Sequence, residues 1–63
     1  MAFWMSKFLE VGQEYSITTT FDDVIEGVFK GVSFDTLHFV LDDYYNLYID
    51  PKNVMIIKKG GLE

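Results

Sequence analysis

Residues 27–57, GVFKGVSFDTLHFVLDDYYNLYIDPKNVMII, pack four strand signals around two turn clusters, and no other stretch of the chain restricts its fold so strongly. Residues 24–34 place Ile25, Gly27, Phe29 and Gly31 on one parity, and a glycine inside a strand marks a bulge, a bend or a close backbone approach. Residues 37–41 form a second apolar run. Residues 42–46, Asp-Asp-Tyr-Tyr-Asn, connect it to a short strand at 47–49. Asp50-Pro51-Lys52-Asn53 then interrupts the sheet, because proline cannot donate to a ladder and Asp and Asn favour turns. The run Val54-Met55-Ile56-Ile57 has no alternation, which predicts that both faces of this strand are covered, one by the core and one by a neighbouring subunit. Upstream, residues 14–20 alternate Tyr15 and Ile17 with Ser16, Thr18 and Thr20, so they read as a half-buried strand closed by an Asp22-Asp23 turn.

The amino-terminal segment has a different period. Met1, Trp4, Met5 and Phe8 fall on one helical face and Gly12 offers a stop, so the spacing predicts a short helix over residues 2–10, within an amino-terminal unit of residues 1–12 that serves as a lid over an open end of a β-barrel. Residues 14–58 are the expected β-domain and residues 59–63 a flexible tail, with Leu62-Glu63 the kind of pair that cloning leaves behind.

Composition narrows what holds such a domain together. A chain of 63 residues forms one domain, and a domain of this size buries only about 60% of the surface its unfolded form exposes. Cores this small supply roughly 3–5 kcal/mol, so disulfides, metals or assembly usually supplement them. Cysteine is absent and there is a single His, which removes disulfides and argues against structural zinc. Assembly remains, and 49% apolar with 17% aromatic residues is more than so small a body can hide.

Ten carboxylates face five lysines and no arginine, for a formal charge of −5. Such a chain lacks the cations from which nucleic-acid binding draws most of its affinity. Nothing reads as a secretory leader or a run of about 20 apolar residues that would cross a membrane, so we expect a cytoplasmic protein with no membrane partner. No nucleophile elbow, phosphate-cradling loop or Ser-His-Asp order is present, so we expect no enzyme, cofactor or metal site.

The order Gly27, Phe29, Gly31, Asp35, Leu37, His38 and Leu41 resembles the first motif of the Sm and Sm-like proteins, with one extra residue between Gly31 and Asp35; without it Ser33 takes the Asp place. Ile49, Asp50-Pro51, Lys52-Asn53 and the Val54 run stand where the second motif would be. The resemblance spans nearly the whole chain. It implies an all-β fold with a short amino-terminal helix, a five-stranded SH3-like barrel. It also implies a homo-oligomeric ring of about five to seven subunits, closed by pairing the fourth strand of one copy with the fifth of the next. Leu47, Tyr48 and Ile49 would meet Val54, Met55, Ile56 and Ile57 there.

The resemblance further implies an RNA pocket. In members that bind uridine-rich RNA, an aromatic and an Arg clasp a base while an Asn reads its edge. Those places look like Thr36, Asp50 and His38 here, with Asp35, Lys52 and Asn53 around them. Thr offers no π-face and Asp50 reverses the charge, so RNA binding is weakened at its key positions. A protein partner is the other candidate ligand. Tyr44, Tyr45 and Tyr48 in an acidic domain suit an SH3-like interaction module. Short, acidic and cysteine-free, the chain suits a bacterial or phage-encoded protein.

Overall fold

The computed structural model describes residues 8–60. Five antiparallel strands follow one another: β1 (Glu14–Thr19), β2 (Val24–Ser33), β3 (Thr36–Leu41), β4 (Tyr45–Ile49) and β5 (Val54–Lys59), with a single 3-10 turn, Pro51–Asn53, before the last. They form one sheet in the order β4-β3-β2-β1-β5.

The sheet must coil. Ile49 ends β4 opposite Leu37, whereas Val54 begins β5 opposite Thr19, next to the β1–β2 turn. Five residue steps reach about 17 Å. The outer strands of a flat five-stranded sheet lie about 19 Å apart before any offset along the strands. Coiling lets one sheet enclose its own core of Leu9, Tyr15, Ile17, Phe29, Leu37 and Phe39, against which Leu41, Ile49, Val54 and Ile57 also pack. The Phe29 ring joins Tyr15 edge-on at 6.5 Å and Phe39 at a tilt at 5.4 Å, separations at which aromatic pairs attract beyond their buried area.

The barrel expected from the sequence is not closed: β4 and β5 are the two outer strands and do not pair with each other. The connection explains why. Asp50 Oδ1 accepts from the Lys52 amide at 3.1 Å, Pro51 is buried at the first position of the 3-10 turn, and the Asn53 carbonyl accepts from the Thr20 amide at 2.9 Å. These contacts deliver β5 to β1. Thr19, 3% exposed, braces the same corner, its hydroxyl accepting from the amides of Phe21 and Asp23.

Two bulges, one on β2 and one on β5, reset the parities. Phe29 pairs with Phe39 but Gly31 with His38, so Lys30 is an extra residue on β2. Ile25, Gly27 and Phe29 share the inner parity, while Gly31 is turned outward beside His38. The two glycines have different reasons to be there. A Cβ on Gly27 would lie 2.8 Å from Leu41 Cδ1 and 3.0 Å from the Val40 carbonyl oxygen, whereas Gly31 has φ +130°.

On β5, Thr18 pairs with Ile56 and Thr19 with Val54, leaving Met55 as the extra residue. The unalternating run 54–57 is therefore explained within the chain. Val54 and Ile57 are half-buried, while Met55 and Ile56 are 60% and 48% exposed.

At the ends the structure revises two expectations. Of the helix expected at 2–10, residues 2–7 lie outside the described residues; Phe8 is in a turn and Leu9 and Glu10 are irregular, with Leu9 in the core. The flexible tail was expected from residue 59, but Lys59 belongs to β5 and the Gly60 amide donates to the Glu14 carbonyl at 2.8 Å. No helix among the described residues is long and apolar enough to cross a membrane.

Candidate functional site

The outer face of β3 and β4 is set by register. Leu37 and Phe39 point into the core, so Thr36, His38 and Val40 face out. Across the ladder, His38 pairs with Tyr48 and Val40 with Asn46. One step beyond the Leu37–Ile49 pair, Thr36 and Asp50 stand at the same end of this face.

Here the imidazole of His38 stacks on the Tyr48 ring, centroids 4.4 Å apart and planes 19° from parallel. Its Nε2 lies 2.8 Å from Asn46 Oδ1 and donates to it when it carries the proton. The ring of Tyr48 is thereby held in one orientation while 53% exposed. Gly31, opposite His38 on β2, leaves open space where a side chain would stand.

The β2–β3 turn supplies the other wall. Ser33 pairs with Thr36, leaving a two-residue loop in which Phe34 and Asp35 both have positive φ, +51° and +65°. This is the type I′ geometry that suits the right-handed twist of a hairpin and that Asn and Gly ordinarily occupy. The Thr36 hydroxyl donates to the Ser33 carbonyl and tightens the loop. Phe34, read from the sequence as the end of a strand, is at the tip and 98% exposed. Ser33, Phe34, Thr36 and Tyr48 line an open groove of about 380 Å³.

Of the residues expected to form a pocket, Thr36 lines this groove, His38 underlies Tyr48, and Asp35 and Asp50 stand at its end of the sheet. Asn53 is elsewhere: its backbone clamps the β1–β2 turn, and its Oδ1 lies 3.5 Å from the Thr20 hydroxyl. Asp50 is tied to the Lys52 amide, and the Lys52 side chain is exposed. The tyrosines do not form one cluster. Tyr45 pairs with Leu41 on the opposite parity from Tyr48, and Tyr44 lies in the turn between them and Asp43.

The residues expected at a subunit contact fall on the two outer strands. Ile49, Val54 and Ile57 pack on the chain's own core and Leu47 is half-buried, whereas Tyr48, Met55 and Ile56 are exposed. Sequence reading missed Phe34 because an aromatic following Val32-Ser33 looks like continued strand. The signal available was Asp35, a turn-favouring residue three positions after the β-former Val32 and just before Thr36.

Comparison with protein-family models, with curated proteins and with solved structures finds no match for this chain.

Proposed function

We propose that this chain is a non-enzymatic, cytoplasmic Sm-like protein whose sheet corresponds to an SH3-like barrel, and that it assembles into a homo-oligomeric ring of about five to seven subunits. The observation that carries this reading is the pair of open sheet edges. Among the described residues β4 and β5 each have a neighbour on one side alone, and they display Tyr48, Met55 and Ile56 to solvent. An outer strand with exposed apolar side chains is a template for another strand. Two unlike edges on one chain form a head-to-tail contact, which closes into a ring when the rotation per subunit fits. The strand order and the 3-10 turn before β5 accord with the same family.

RNA is a weak ligand in this reading. Thr36 brings no ring, Asp50 brings a negative charge, and every subunit adds −5. Light scattering on the eluting protein tests the assembly: a mass of several subunits at micromolar concentration is expected, and a monomer refutes it. Filter binding with oligo-uridine at about 50 mM salt, where electrostatic attraction is strongest, tests the second part, with weak retention expected.

The exposed aromatic groove favours one second reading, an SH3-like protein-interaction module that acts as a monomer or dimer.

A further inference from the structure

We propose that the groove between the Phe34–Asp35 turn and Tyr48 is a docking site for a basic segment of a partner protein, with an arginine or lysine side chain seated over the Phe34 and Tyr48 rings. Three independent features lead there.

The first is Phe34 itself. A bulky residue with φ +51° sits in a region of backbone space that is costly for anything but Gly, Asn or Asp. Its ring is 98% exposed, so the core receives nothing in return. Strain held at an exposed position without benefit to packing is the pattern found where a residue meets a ligand. The second is Tyr48, which is exposed yet pinned from beneath by His38 and, through His38, by Asn46. A ring already fixed loses little entropy when something lies on it.

The third is charge. Asp35 shares the turn with Phe34, and Asp50 follows Tyr48 by two residues, just past the end of β4, where it caps the 3-10 turn. Lys30, at the bulge of β2, and Lys52 flank the region, but the chain as a whole carries ten carboxylates against five lysines. A cation approaching the face of an aromatic ring near carboxylates is attracted by both. A nucleic-acid strand meets the opposite field. The groove lies on the outer face of the sheet, whereas strand pairing uses the backbone at the edge of β4; Tyr48 is common to both surfaces, so binding and assembly are measured on the same samples.

The test is fluorescence anisotropy with three labelled probes: a short blocked peptide alternating arginine and leucine, its glutamate–leucine counterpart, and oligo-uridine. The arginine peptide is expected to bind with an affinity better than about 1 mM and more tightly than both others. Phe34→Asn, which suits the left-handed backbone and so keeps the turn, is expected to weaken binding roughly tenfold while the melting temperature stays equal or rises. Asp35→Asn, equally tolerant of its φ, is expected to lower affinity several-fold and to flatten its salt dependence. Equal binding of the two peptides, tighter binding of oligo-uridine, or full affinity in Phe34→Asn would each overturn the proposal. Elution mass measured on the same samples separates this outcome from that of assembly.

Discussion

At the scale of single residues, two positions in β2 and its turn carry opposite lessons. Gly27 is needed for space: any Cβ there meets the Val40 carbonyl and Leu41 Cδ1 inside ordinary contact distance. Gly27→Ala is therefore expected to destabilise the domain by about 1–3 kcal/mol, the range for overpacking, as measured by denaturant midpoint. Phe34 is the reverse, a residue the fold would be better without. Replacing it by Asn removes part of a penalty of roughly 1–2 kcal/mol for an L-residue in left-handed backbone. A gain of about 1 kcal/mol raises the melting temperature of a domain this size by about 4–8 °C. A lower melting temperature in Phe34→Asn would mean that the ring supports the fold after all. Gly27 was legible in the sequence as a glycine within a strand, but which neighbour it makes room for depends on the β2–β3 register.

At the scale of elements, the two outer strands and the bulge on β5 decide which side chains stand at the sheet edges. Met55 occupies the extra place on β5, and this lets Val54 and Ile57 both reach the core while Met55 and Ile56 face solvent. Alternation alone does not find this, because a bulge shifts parity by one and its position depends on the strand alongside. A lysine on an exposed outer strand blocks edge-to-edge pairing without touching the core. On the proposed ring, Ile56→Lys is accordingly expected to give a monomer by light scattering. The circular dichroism spectrum should keep its β signature, and intrinsic stability should change by only about 0.5 kcal/mol, since Ile56 is 48% exposed. An unchanged elution mass would remove β5 from the subunit contact.

At the scale of the whole molecule, a core with six buried apolar side chains among the described residues must hold a sheet whose outer strands pair on one side. Phe39 is fully buried beside Phe29, and Phe39→Ala costs about 3–5 kcal/mol. That matches the roughly 3–5 kcal/mol that a core of this size supplies, so the variant is expected to be unfolded at room temperature by near-ultraviolet circular dichroism. The proposed assembly would add what the core lacks. In the proposed assembly a partner subunit stabilises the folded form by mass action, so the melting temperature of the wild-type protein is expected to rise over a roughly hundredfold increase in concentration. A melting temperature independent of concentration would indicate that each chain stands alone.

The sequence by itself determined the strands and their punctuation. β-branched and aromatic runs, Asp-rich turns and the Asp50-Pro51 break act locally, through backbone preference and side-chain hydrogen bonds to neighbouring amides, so they are visible in a single chain. It also determined the poverty of cations, which is a matter of composition. Only the tertiary structure decided which way Gly31 faces, that Met55 is an extra residue, and that Phe34 and Tyr48 line one groove. Each of those follows from the ladder between strands distant in sequence, where one bulge moves every later side chain to the other face.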